Sequence, residues 1–279
     1  MVSVKSLICA GAAVLVSSAA YAADLGMPPA PAYMPPAVVA AQSGWYLRGD
    51  VGVGAQSFSK FDLEPADTLP ASWTVNQTDV QDAALVGFGV GYDVNSWLRF
   101  DVTGEYRTKA AFKALGSYTN FCLGGGTCFD QYNGNFSAAV FMANAYLDLG
   151  TWWCLTPYIG AGVGGAYDRV TGVEDVGYLS NGTNGFGYTY GDESKWNLAW
   201  NVQAGLTYNV SDNLKIDFSW RYLDMGTAES ANIFCQNTGA TGGCNYFNLK
   251  DMTSQDFRIG VRWLLSPETA PAMPISTRG

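Results

Sequence analysis

Charged side chains recur at alternate positions in four stretches of this chain. They are Arg48 and Asp50; Arg99, Asp101, Glu105 and Arg107; Lys215, Asp217 and Arg221; and Asp256, Arg258 and Arg262. Asp93, Asp148 and Asp168 stand singly in similar settings. Groups this dense could form a selective ion path, or neutralise one another in pairs. Hydrolytic chemistry of the common kind is excluded more firmly, because the 279 residues include no histidine. The usual general base of Ser-His and Cys-His hydrolases is absent, and so is the commonest metal ligand. No cofactor is expected. Cysteine is the other reactive type. Cys122 and Cys128 flank Leu-Gly-Gly-Gly-Thr, and Cys235 and Cys244 flank a second glycine-containing stretch. Two local disulfides are the natural pairing where thiols are oxidised. Metal binding at these spacings is the weaker alternative without histidine. Cys154, beside Trp153, is the odd one, open to alkylation or to a cross-link between two copies.

What positions these groups is a period of two. In a strand, successive side chains face opposite sides. Near the C-terminus, Phe257, Ile259, Val261 and Trp263 share one face, while Asp256, Arg258, Gly260 and Arg262 share the other. Eight segments read this way, at about 44–57, 82–94, 97–108, 134–149, 156–170, 196–210, 214–226 and 253–265. Segment 134–149 alternates least cleanly. No helical segment is available to cover the apolar rows, and a soluble sandwich would need a second apolar face where the sequence supplies charges. The fold that satisfies the pattern is all-β: an eight-stranded antiparallel up-and-down barrel with lipid outside and a polar interior. Connections near 95–96, 150–155 and 211–213 are short. Those at 58–81, 109–133, 171–195 and 227–252 are long and rich in Gly, Asn and Thr. Such alternation belongs to outer-membrane barrels, with short periplasmic turns and long extracellular loops.

Composition agrees. Charged residues make up 14% of the chain, aromatics another 14%, and there are 33 glycines. A net charge of −9 argues against nucleic acid as a partner. Residues 1–22 read as a secretory signal: Lys5 begins it, Leu7 to Val16 form its apolar stretch, and Ala20-Tyr21-Ala22 precedes cleavage. Residues 23–43 form a Pro/Ala-rich periplasmic linker, 44–265 the barrel, and 266–279 a C-terminal periplasmic tail. The inward rows carry seven basic residues (Arg48, Arg99, Arg107, Lys215, Arg221, Arg258, Arg262) against eight acidic ones (Asp50, Asp93, Asp101, Glu105, Asp148, Asp168, Asp217, Asp256). That near-balance favours a salt-bridged plug over an open pore. Excess acid falls in the loops, at Asp62, Glu64, Asp67, Asp79, Glu174, Asp175, Asp192, Glu193 and Glu229. It is read as a solvated face, with divalent-cation bridging to lipopolysaccharide or to a partner as the alternative.

The run Gly44-Trp45-Tyr46-Leu47-Arg48-Gly49-Asp50-Val51-Gly52, the Pro/Ala linker before it, and Pro157-Tyr158-Ile159-Gly160-Ala161-Gly162-Val163-Gly164 carry a family resemblance. They resemble small alphaproteobacterial outer-membrane proteins, a group similar to opacity-protein and OmpA-like eight-stranded barrels. The resemblance covers residues 1–265. It implies a non-enzymatic envelope protein whose surface loops contact a ligand or host, with a small porin-like channel or a hemin-binding surface protein as alternatives. The partners it implies are outer-membrane lipid, lipopolysaccharide and the barrel-assembly machinery. Outer-membrane enzymes of similar size depend on histidine, which this chain lacks. One departure stands out: such barrels usually end on an aromatic residue that assembly machinery recognises, whereas here Trp263-Leu264-Leu265 is followed by a tail.

Overall fold

A computed structural model describes residues 43–66, 69–119, 126–178, 184–189, 191–235 and 245–265; for 184–189 and 235 it describes the backbone only. The proposed signal, most of the linker, the tail, Cys122 and Cys244 lie outside these residues. Among the described residues the strands are β1 (Gly44–Ser57), β2 (Lys60–Glu64), β3 (Thr74–Val80), β4 (Ala83–Asp93), β5 (Leu98–Thr119), β6 (Thr127–Asp148), β7 (Leu155–Tyr178), β8 (Asn184–Thr189), β9 (Glu193–Asn209), β10 (Leu214–Asp224), β11 (Ala228–Glu229), β12 (Ile233–Cys235), β13 (Tyr246–Lys250) and β14 (Thr253–Leu264). Eight of them, β1, β4, β5, β6, β7, β9, β10 and β14, pair antiparallel in a closed ring. Its first and last strands meet from Tyr46 opposite Leu264 to Ser57 opposite Thr253. Closure leaves the barrel wall without a free edge, which is why such a sheet can stand in lipid.

Alternation sets the facing. Val51, Phe88, Val102, Phe141, Val163, Leu198, Phe218 and Ile259 are exposed on the outside, while Arg48, Asp101, Asn201, Asp217 and Arg258 are buried within. The short turns form from their own polar residues. Asn95 Oδ1 accepts hydrogen bonds from the amides of Trp97 (2.9 Å) and Leu98 (2.8 Å), and Ser211 Oγ accepts one from Leu214 (3.1 Å). Trp45, Trp97, Trp152 and Trp263 stand exposed at this short-turn end, and Trp153 is 98% exposed. Tyr106, Tyr167 and Trp196 form a second aromatic belt farther along, where the rings of Tyr167 and Trp196 are 5.2 Å apart. Two aromatic girdles around an apolar band fit a bilayer.

The far end departs from expectation. Strands β5, β6 and β7 do not stop near 108, 134 and 170. They continue to Thr119, Thr127 and Tyr178, paired in register as far as Thr119 opposite Thr127 and Phe129 opposite Tyr178. Irregularities between Arg107 and Ala110, and between Asn133 and Asn135, bend this extension where it leaves the belt. The long connections also fold. Strand β3 adds to β5, β8 to β7, and β12 to β8, while β11, β13 and β2 form a separate small sheet. What packs it is an apolar core absent from a simple polar-interior reading: Phe61, Leu63, Phe112, Tyr132, Phe136, Ile233, Phe247, Leu249 and Met252 are all buried. Cys128 is disulfide-bonded and buried in the same region. Mass spectrometry of non-reduced digests is expected to find Cys122–Cys128 and Cys235–Cys244 links; free thiols at these four positions would contradict the pairing.

The facing itself is testable. Phe218 is 51% exposed at mid-strand, opposite Ile259 and Leu206. Phe218→Arg is expected to cost roughly 2–4 kcal/mol, the penalty for a cation at the bilayer midplane. Spin labels at positions 216, 218 and 220 should meet lipid-soluble quenchers, and those at 215, 217 and 219 should not. The opposite parity would refute the register.

Candidate functional site: the charged lumen and its apolar cap

The strand register stacks the inward charges in tiers. At the short-turn end, Arg262 Nε donates to Asp217 Oδ2 (2.6 Å), and Arg262 Nη2 donates to Thr207 Oγ1 (2.9 Å). Arg99 Nε reaches Asp148 Oδ1 at 3.1 Å. Its guanidinium lies 4.2 Å from the Tyr146 ring centre and 4.4 Å from that of Tyr158. Such stacking holds a desolvated cation against two electron-rich faces. Lys215 Nζ approaches Asp93 at 3.5 Å.

In the middle tier, Arg48 grips Asp50 through two hydrogen bonds of 2.8 and 2.7 Å. It also donates to Asp101 (2.7 Å) and to the Tyr146 hydroxyl (2.8 Å). Asp101 further accepts from Asn144 (2.8 Å) and Tyr46 (3.2 Å). Asn201 and Gln203 continue the chain of amides from Asn144, and Arg258 Nη2 donates to Gln203 Oε1. Arg258 therefore meets an amide rather than a carboxylate in its direct hydrogen bond.

The third tier is the most densely paired. Asp256 accepts from Arg107 at 2.7 and 3.0 Å, from Arg221 at 2.8 Å, and from Ser254 at 2.6 Å. Glu105 accepts from Arg107 at 3.0 Å and from Arg221 at 2.7 and 2.8 Å. Two guanidinium groups and two carboxylates thus neutralise each other where water is scarce. Neighbouring strands make room for them by lacking side chains. A Cβ on Gly54 would collide with the Arg107 guanidinium and the Asp256 carboxylate, and one on Gly91 would strike the Tyr46 ring.

Of the fifteen inward charges read from the sequence, the fold buries thirteen and leaves Asp148 and Lys215 half-buried at the short-turn end. Asp168 stands apart, accepting a hydrogen bond from Asn197 (2.8 Å) in place of a cation. Three phenols were not foreseen as partners: Tyr46, Tyr146 and Tyr158. Parity alone could have placed Tyr46, which shares its face with Arg48 and Asp50.

Above the third tier the inner row turns apolar. Ala138, Val140, Met142, Ala166, Ala199, Leu223 and Met225 are buried there and join the far-end core. Phe247 of β13 seats over it, stacked 4.8 Å from Phe61, with Phe112 edge-on at 5.6 Å. A polar interior through the whole height is thus corrected: ion pairs occupy the lower part, and an apolar core lies at the far end. Chemically this arrangement fills and stiffens the interior.

A family model described as "outer membrane protein beta-barrel domain" matches residues 10–263. An uncharacterized protein of Brucella abortus is 32% identical over 231 residues, covering 72% of this chain and 78% of that protein. An adhesin candidate of Rickettsia typhi is 25% identical over 222 residues, covering 78% and 87%. Among solved structures, Neisserial surface protein A is 19% identical, covers 80% of this chain and 98% of its own, and gives a TM-score of 0.43. Outer membrane protein OprG of Pseudomonas aeruginosa is 14% identical, with coverages of 81% and 97% and a TM-score of 0.44. Closed ring, apolar belt and family match put the protein in the outer membrane of a Gram-negative bacterium, and the chain belongs to the outer membrane protein beta-barrel domain family.

Proposed function

We propose that this protein is a non-enzymatic envelope protein: a closed barrel that anchors a folded extracellular platform for contact with a ligand or host surface. One observation carries the reading. The interior is filled by paired charges beneath an apolar cap, while β5, β6 and β7 run on past the outer aromatic belt to carry additional strands. An eight-stranded wall leaves an interior just wide enough for side chains to fill. Material invested beyond the membrane then serves the outside. The absence of histidine from the whole chain argues against hydrolase chemistry. Relatives described as adhesin candidates support a contact role. Lipid and lipopolysaccharide surround the belt, and barrel-assembly machinery inserts it.

The test compares intact cells with and without the protein, and with a variant in which residues 109–133 are shortened to a tight turn. Expression of the full chain is expected to raise binding to host cells or extracellular matrix, and the shortened variant to lose that gain while keeping the heat-modifiable gel mobility of a folded barrel. Equal binding in all three would contradict the platform reading.

A further inference from the structure

The extracellular part of the barrel contains a second acidic feature, outside the lumen network. Asp130 on β6 and Asp175 on β7 both face inward above the outer belt. Asp175 lies directly across from Tyr132, and Asp130 from Gly177, so the two carboxylates are diagonal neighbours around Tyr132. Diagonal side chains on one face of an antiparallel pair lie within mutual reach. Asn245, at the start of the cap, is hydrogen-bonded to the Tyr132 hydroxyl.

Asp175 is only 8% exposed, yet its Oδ1 is buried without a hydrogen-bond partner. Asn245 Oδ1 is likewise buried and unpartnered. Both orphan atoms are acceptors. Among the described residues, neither Asp130 nor Asp175 forms an ion pair with a lysine or arginine, and the nearest charged neighbours in sequence, Lys113 and Glu174, face outward. Among the described residues, the other titratable groups facing the pair are the phenols of Tyr118 and Tyr132. Burial pushes the Asp130 carboxyl up to about 6. Burial, with Asp130 beside it, pushes Asp175 up to about 7. A cation between them would favour the charged form of both.

We propose that Asp130, Asp175 and the Asn245 side-chain oxygen form an extracellular site for a hard divalent cation of the calcium class. Calcium takes six to eight oxygen ligands in flexible geometry and accepts carboxylates, amide oxygens and waters together. These donors are all oxygen, and the orphan acceptors supply what a cation lacks. Because Asp130 and Asp175 lie in the barrel extension and Asn245 leads into β13, the ion ties the cap to the wall. This placement extends the platform reading but does not depend on what the platform contacts.

Terbium is the probe, because it replaces calcium and emits when a nearby aromatic ring transfers energy to it. Tyr132 adjoins the site, and the Trp73 ring is 6.4 Å from that of Tyr132 and 6.1 Å from that of Tyr118. Full-length protein refolded in detergent at neutral pH should show sensitised emission that saturates at one ion per chain and is displaced by calcium. Asp130→Asn and Asp175→Asn should each weaken binding at least tenfold, and Asp79→Asn, on an exposed strand, should leave it unchanged. Lowering the pH from 7.5 to 5 should weaken calcium binding, because protons compete for carboxylates with raised pKa values. If either variant fails to fold, hydrogen exchange of the wild-type chain decides. Calcium should slow amide exchange in 130–133 and 173–177 relative to chelator. Unsensitised terbium, titrations unaltered in folded Asp→Asn variants, or exchange indifferent to calcium would each overturn the site.

Discussion

Asp256→Ala is expected to destabilise the barrel by about 3–5 kcal/mol, the range seen when one partner of a buried ion pair is removed. Asp256 is fully buried and accepts from Arg107, Arg221 and Ser254. Its loss leaves two buried guanidinium groups sharing Glu105 as their remaining carboxylate. Asp256→Asn keeps the volume but not the charge, so it should recover only part of the loss. The control is Lys60→Ala on β2, whose ammonium pairs with Asp62 at 2.7 Å but is 65% exposed. An exposed pair of this kind is worth under about 1 kcal/mol. Urea unfolding in lipid vesicles, followed by tryptophan emission, measures both. A change below about 1 kcal/mol for Asp256→Ala would mean that the third tier is not a sealed ion-pair layer.

Phe247→Ala is the second large effect. The ring is fully buried, stacked on Phe61 and edge-on to Phe112 and Tyr132. Deleting a buried phenylalanine costs roughly 3–5 kcal/mol. Here the loss should fall on the cap and not the ring of eight strands, because β13 pairs with β2 and β11, outside that ring. Hydrogen exchange should therefore accelerate in 60–64 and 246–250, while amides of β10 and β14 keep their protection. Uniform acceleration through the barrel would show that cap and wall unfold as one unit.

How legible was this in the sequence? The eight wall strands and their facing were, because lipid outside and charge inside force a clean alternation; Phe257 through Trp263 against Asp256 through Arg262 needs no further context. Segment 134–149 was harder for a reason that the structure explains. Its inner row holds Ala138, Val140 and Met142, which pack into the apolar core and so blur the contrast between faces. The same blurring hid the continuation of β5, β6 and β7 past the belt. Outside the membrane the outward row no longer has to be apolar: Lys113, Glu174 and Gly172 lie on it, and the period of two loses its hydrophobic signal. The cap strands are short and pair across long sequence separations, as Lys60 does with Lys250, so local pattern could not reveal them. In the lumen, the charged residues were visible by type and parity. Their pairing was not, since it depends on register between strands far apart in the chain, as in Arg107 with Asp256, 149 residues on. Asp175, grouped with the solvated loop acids by composition, is buried because β7 extends far enough to turn it inward.

The central claim is that the lumen is closed. Steady conductance across planar bilayers containing the purified, refolded protein tests it most directly. Paired charges across three tiers and an apolar lid predict no steady conductance above that of the bare bilayer, and sugar flux in proteoliposomes equal to that of empty vesicles. Neutralising Asp217, which holds Arg262 at 2.6 Å, should raise conductance or thermal lability. A reproducible, large conductance from the unmodified chain, abolished by blocking the extracellular side, would contradict the sealed lumen and make this protein a small porin.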